Sequence, residues 1–169
     1  MNKELRVIQL EVAVWNEFNF PNNTKENCIL GIVEEIGELS HCILKQNQGI
    51  RKESSTEEKL QDAIGDIVIY ALNYCNYCGI DIMEALDSMH SDDHENISIL
   101  DCITDMCFQI DSLTRDSSII GEVTIGGIIR NLYMLCEHKD YCLIDITNTV
   151  WDEVSQRNWH EFPNNGKTN

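Results

Sequence analysis

Along nearly the whole chain the apolar residues recur three and four apart, and only Pro21 and Pro163 interrupt 169 residues. That period belongs to helices, so the chain is expected to be all-α. Its 43% hydrophobic content is enough for a real core in a chain of this length. The first helix is expected over about 3–17, with Leu5, Ile8, Val12 and Trp15 along one side and Pro21 unable to extend it. Asn23 or Thr24 caps a second helix, which runs to about Gln48 and stops at Gly49. Ser54, Ser55 and Thr56 supply a loop and a cap. Glu57 then opens a third long helix that reaches about Tyr77 and breaks at Gly79. A short helix from about Ile82 to Met89 and a polar connection over 91–95 close the first half.

Two of these helices carry acids on one face. In the second, Glu34, Glu35 and Glu38 fall three and four apart; in the third, Asp62 and Asp66 are four apart. At those spacings helical side chains are neighbours. Two like charges about 4 Å apart repel by about 4 kcal/mol at an effective dielectric of roughly 20. Such a cluster needs open water or a cation. Each helix alone also fits an ordinary amphipathic surface helix, with Ile32, Ile36 and Leu39 in one stripe and Ile64, Ile67 and Val68 in the other. Three details favour a site. The acidic faces also carry Gly31, Ile69, Tyr70 and Asn73, a poor composition for a solvated surface. Gly31, Gly37 and Gly65 each cost a helix about 1 kcal/mol against Ala, which suggests close approach of something. No Lys or Arg joins the acids of the second helix before Lys45.

Glu34-Glu35-x-x-Glu38, followed by an acidic helix ending Gly65-Asp-Ile-Val-Ile-Tyr70, resembles the MazG-like all-α nucleoside triphosphate pyrophosphohydrolases. The likeness covers about residues 5–80 and the tail around Trp151–Asn165. It implies a MazG-like helical bundle, and hydrolysis of a nucleoside triphosphate to the monophosphate and pyrophosphate. It implies Glu34, Glu35, Glu38 and Asp66 as catalytic residues, with Glu34 orienting or deprotonating the attacking water. Glu35, Glu38 and Asp66 are the implied metal ligands. The family's second motif usually has Glu where this chain has Ala63; Asp62, on the face of Asp66, is the substitute ligand, and the number of ions stays open. An oxygen-only ligand set selects Mg2+, or Mn2+, over zinc. Such an ion polarises a phosphoryl oxygen and acidifies water.

A base needs a flat apolar surface and a few hydrogen bonds. Trp15 and Tyr70 are the candidates for stacking, and Asn16, Asn19 or Asn73 for reading the base edge; aromatics at helical spacing fit a core equally well. Lys45, Arg51 and Lys52 are candidates to hold phosphate. They also fit cations placed at a helix end. Arg157 and Lys167, in a tail that ends a helix with Pro163 and Gly166 as stops, either meet phosphate or offset local acid.

A formal net charge of −17 disfavours nucleic acid and anionic membrane as partners, and suits divalent cations. The first ten residues lack the apolar segment of a secretory signal, and no run is long enough to cross a membrane. The eight cysteines therefore read as core or near-core thiols in a reducing cytoplasm. Cys75-x-x-Cys78 has no second ligand pair for zinc.

The second half repeats the first in apolar rhythm. The run from Ile99 to Phe108 matches that from Ile29 to Glu38, Ile125-Gly-Gly-Ile-Ile matches Ile64-Gly-Asp-Ile-Val, and Tyr141 matches Tyr77. Glu38 then meets Phe108 and Asp66 meets Gly127, so the copy keeps its core and loses its acids. Residues 1–90 are expected as the catalytic half, and 91–169 as a degenerate repeat or accessory helices packed with it in one domain. The family resemblance implies a homodimer or, with one copy degenerate, a single-chain pseudo-dimer. The alternative to the enzyme is a degenerate MazG-like binding or structural protein. A third reading is cleavage of another pyrophosphate, such as a phosphoribosyl nucleotide of histidine synthesis.

Overall fold

The computed structural model describes residues 3–87, 97–114 and 118–167, and among them every regular element is helical. The order is α1 (Leu5–Asn19), α2 (Lys25–Gln48), α3 (Glu57–Cys78), α4 (Ile82–Asp87), α5 (Ile99–Leu113), α6 (Ser118–His138) and α7 (Leu143–Val154), with one 3-10 turn at Lys52–Ser54. The ends follow local chemistry. Thr24 Oγ1 accepts the Asn27 N–H at 3.4 Å, and Thr56 Oγ1 accepts the Lys59 N–H at 3.3 Å. Each satisfies a donor that the first helical turn leaves bare. Gly49 and Gly79 stop α2 and α3 at φ of 66° and 67°, a left-handed geometry that favours glycine. The expected end of the fourth helix at Met89 and the polar connection 91–95 lie outside the described residues.

The core is organised on α3. Its Leu60, Ile64, Ile67, Val68 and Leu72 are fully buried. Burying a side chain of that size contributes about 1.5–3 kcal/mol. α2 covers one side of α3, while α1, α6 and α7 cover others. Gln9 ties α1 to the turn after α3: its Nε2 donates to the Ile80 carbonyl at 2.7 Å, and its Oε1 accepts the Ile82 N–H at 3.1 Å. Among the described residues no helix is long and apolar enough to cross a membrane.

The second half repeats the arrangement of the first. α5 packs on α6 as α2 packs on α3, and the short helices cross over, α4 lying on α6 and α7 on α3. Buried Ile32 and Ile36 of α2 correspond to buried Cys102 and Met106 of α5, and exposed Leu30 to exposed Leu100. α6 ends as α3 does. The Tyr141 N–H reaches the Cys136 carbonyl at 2.9 Å, as the Ile80 N–H reaches Cys75 at 2.9 Å, and Asp140 takes the left-handed φ of 57° where α3 uses Gly79. This turn aligns Tyr141 with Ile80 rather than with Tyr77.

The tail departs from the expected helix. α7 stops at Val154, well before Pro163, and the chain turns back on itself. The Asn158 N–H donates to the Gly166 carbonyl at 2.8 Å, and the Gly166 N–H to Phe162 at 2.8 Å. The closed tail docks on the end of α1: the Trp159 N–H meets Asn19 Oδ1 at 2.8 Å, and Trp15 Nε1–H meets the Arg157 carbonyl at 3.1 Å. Gly166, at φ of 72°, thus closes a loop rather than ending a helix. All eight cysteines are free; five are buried and Cys78 is partly so, but Cys107 and Cys142 are exposed, outside the expected core.

Candidate active site

The acids of α2 and α3 meet along the seam between the two helices. Gly31 lies against the Tyr70 ring, so closely that a Cβ there would overlap it. One turn on, Glu35 and Asp66 border the same cavity; further on, Glu34, Glu38 and Asp62 line one groove. The helices therefore run antiparallel, and one carboxylate row is built from both. Its electrostatics show the crowding. Burial pushes the Glu35 carboxyl up to about 8, and the Asp66, Glu38, Glu34 and Asp62 charges add to the rise. Burial pushes Asp66 up to about 7; Asp62 and Glu38 add to this and Arg157 opposes it. Asp62 is raised by burial and by Glu153, again against Arg157. Ala63 is buried at 2% exposure, a core position in which a carboxylate would be desolvated.

Among the described residues no group of three or more His, Cys, Asp or Glu side chains is drawn together tightly enough to hold a metal ion. The donor set nevertheless fits a hard dication. It is all oxygen, and burial with neighbouring carboxylate charge raises both Glu35 and Asp66, a cost to their charged forms that a cation would relieve.

Beside Glu35 and Asp66 opens a cavity of about 390 Å³. Its walls are aromatic and amide. Trp15, Phe20, Tyr70 and Trp159 line it together with Asn16 and Asn73. Trp15 meets Phe20 edge-on at 5.7 Å between ring centres, and Phe20 meets Trp159 at 6.2 Å. Asn16 Oδ1 accepts from Asn73 Nδ2 at 3.0 Å and from Asn23 Nδ2 at 2.9 Å, and Asn16 Nδ2 donates to the Tyr77 hydroxyl at 2.8 Å. These bonds fix the amides before any ligand arrives. The adjoining groove of about 500 Å³ runs past Gly37, Glu38, His41, Lys59 and Asp62.

Trp15, Tyr70, Asn16 and Asn73 thus stand at the cavity with Glu35 and Asp66. Asn19 does not: it is buried in the tail contact, its Nδ2 donating to the Trp15 carbonyl at 3.1 Å. Lys45 and Arg51 line neither cavity nor groove. Lys45 lies nearly three turns beyond Glu35, about 15 Å along the axis, and bonds Gln48 at 3.1 Å. Arg51 is exposed in the turn after α2, with a left-handed φ of 50°. Phe20 and Trp159 at the cavity and Lys59 at the groove are site residues that the sequence reading lacks, whereas Arg157, read there as meeting phosphate or offsetting acid, lines the cavity. Phe20 and Asn23 sit in the turn after α1, Arg157 and Trp159 in the tail; helical periodicity carries no signal for either stretch. The Asn-rich run from Asn19 to Asn23 is the one local hint.

Compared with known proteins, the chain matches no family model, no curated protein and no solved structure.

Proposed function

We propose that this protein is a divalent-cation-dependent nucleoside triphosphate pyrophosphohydrolase. The observation that carries this is the juxtaposition at one seam: five carboxylates from two antiparallel helices, opening on a cavity walled by aromatic rings and bound amides. The cavity volume of about 390 Å³ suits a nucleoside, and its apolar walls with few fixed polar groups suit a base. The acids Glu34, Glu38 and Asp62 also line the groove of about 500 Å³, which offers room for a polyphosphate. Glu35, Glu38, Asp62 and Asp66 would hold Mg2+, which when bound supplies Lewis-acid polarisation of phosphoryl oxygens. Tyr70 and Trp15 flank the base, and Asn73, held by Asn16, faces its edge. Glu34, exposed on the groove side, takes the proton of the attacking water on its carboxylate. Water adds at a phosphorus of the α–β bridge, the bridging P–O bond breaks, and monophosphate and pyrophosphate leave.

The match in register and the crossed packing of the two halves support a single-chain pseudo-dimer, in which α5 and α6 stand where a second subunit's helices would. Eight free thiols suit a reducing cytoplasm. The second reading, a binding protein without turnover, draws on the absence of a gathered ion-holding group among the described residues. Pyrophosphate release from a panel of ribo- and deoxyribonucleoside triphosphates with Mg2+ separates the two. Turnover of at least one nucleotide supports the enzyme. Binding with no turnover of any supports the second reading.

A further inference from the structure

Of the residues that line the cavity, Arg157 is the one Lys or Arg. Its Nε is buried and has no hydrogen-bond partner. Its ion pair is loose: Nη2 stands 3.9 Å from Glu153 Oε1, and that same oxygen is taken by Lys167 Nζ at 2.5 Å. A guanidinium left this way, 27% exposed, has donors in hand that no described residue uses well. Its position is nonetheless set. The backbone carbonyl of Arg157 accepts the Trp15 indole N–H, and the closing tail presses Gly166 on its stem, where a Cβ would stand 2.8 Å from the Arg157 Cβ. Gly166 is therefore required by the close approach as well as by its φ. The planar fork of arginine matches phosphate oxygens two at a time.

We infer that Arg157 receives a phosphoryl group of the nucleotide, so that the C-terminal tail supplies an anion contact at the cavity end of the site. This rests on the pyrophosphohydrolase reading. It also gives the tail a purpose that packing alone does not require. Trp159 and Arg157 come from one short turn, so docking it on α1 brings a base wall and a phosphate ligand to the cavity together.

The test uses the full chain with a non-hydrolysable α,β-imido nucleoside triphosphate and Mg2+, and separately the matching nucleoside. Binding is measured by calorimetry for wild type, Arg157→Gln, Arg157→Lys and Glu153→Gln. Loss of a charge-assisted bond predicts an affinity for the imido nucleotide about tenfold to a hundredfold lower in Arg157→Gln. Nucleoside affinity stays within twofold, which also reports an intact cavity. Arg157→Lys recovers part of the loss, and Glu153→Gln binds as wild type. Unchanged triphosphate binding in Arg157→Gln overturns the inference while leaving the pyrophosphohydrolase reading in place. Equal losses for triphosphate and nucleoside overturn it too, because Arg157 then only shapes the cavity. A wild type that neither binds the imido nucleotide nor releases pyrophosphate from any triphosphate overturns both.

Discussion

The α2–α3 pair and the α5–α6 pair share a backbone plan and differ in what they place on the seam. Where α2 has Glu38, α5 has Phe108, 80% exposed; where α3 has Asp62, α6 has Val123, 51% exposed. Where Asp66 stands, α6 has Gly127, and the Gln109 side chain fills the space beside it, bonded by Asn131 at 3.5 Å. The inward positions of both pairs are apolar and buried. Stability thus needs only the core stripe, and the same stripe serves both halves. The acids of the first seam do the fold no service, since burial and neighbouring carboxylates disfavour the charged forms of Glu35 and Asp66. A feature that costs stability and occurs in one of two comparable places is what the proposed ligand site would leave in the sequence.

The sharpest way to break that contrast is to neutralise one seam and then the other. Glu38→Gln or Asp66→Asn removes a proposed ligand and lowers pyrophosphate release at least about a hundredfold, with the circular dichroism spectrum unchanged. Phe108→Gln, at the equivalent place, leaves the rate as it was. Equal losses from both would mean that the second half shares in the site.

A comparison of two glycines tests the packing side. In α3 a Cβ on Gly65 would stand 2.7 Å from the β-branched Val150 Cβ of α7. Neither the branch nor the helix behind it yields easily. Gly65→Ala should cost about 1–3 kcal/mol. In α6 the atoms nearest a Cβ on Gly127 are those of the Gln109 amide, its nitrogen overlapping the Cβ but at the tip of a flexible chain that can shift. Gly127→Ala should change stability by no more than about 0.5 kcal/mol. Thermal unfolding of the two variants ranks them. A Gly65→Ala protein as stable as wild type would mean that α7 does not lie on α3 as described.

Much of this was legible from local chemistry. Thr24, Gly49, Thr56 and Gly79 mark helix ends because capping is decided within one turn, and the acids of α2 and α3 announce a shared face because helical spacing fixes direction. The crevices were less legible. Arg157 and Trp159 reach the cavity through a turn whose closure depends on Asn158, Phe162 and Gly166, and through a dock on α1; no periodic pattern encodes either. Lys45, which lines neither cavity nor groove, shows the complementary limit. It shares a helix with the acids, but distance along the axis separates it from the cavity, and the spacing of motifs in a sequence does not weigh that distance against the reach of a side chain.

The acids also make the metal-free protein sensitive to pH. In the unfolded chain Glu35 and Asp66 lose their protons at about pH 4. In the fold they keep them to about 8 and about 7. Between those limits the folded state binds more protons, so stability falls as pH rises from about 4 to about 8. Glu35→Gln removes the largest part of this. With allowance for partial exposure, its gain at pH 8 is on the order of 1 kcal/mol, seen as a Tm higher by about 3 °C. The gain shrinks as pH falls and vanishes below about pH 4, where Glu35 is protonated in the folded and the unfolded chain alike. Added Mg2+ should raise the wild-type Tm at pH 8 and do much less for the variant. A wild-type Tm that climbs over this range would show that the α2–α3 seam is open to water rather than crowded.

The smallest expected effect separates the halves most finely. Gly37 of α2 has nothing within 4 Å of where a Cβ would stand, and it borders the groove between Glu34 and Glu38. Its equivalent in α5 is Cys107, exposed, so the backbone plan tolerates a side chain there. An alanine at 37 meets no atom and favours the helix by about 0.5–1 kcal/mol, so the variant should unfold at a slightly higher temperature. Neither the cap chemistry nor the packing of α2 calls for glycine at this place. If the groove carries the polyphosphate, the bare backbone is what lets it lie close to the seam. Gly37→Ala should then raise KM for the triphosphate while the protein becomes more stable. Higher stability with unchanged KM would mean that the groove is not the phosphate path, and would leave Gly37 with no role that Cys107 lacks.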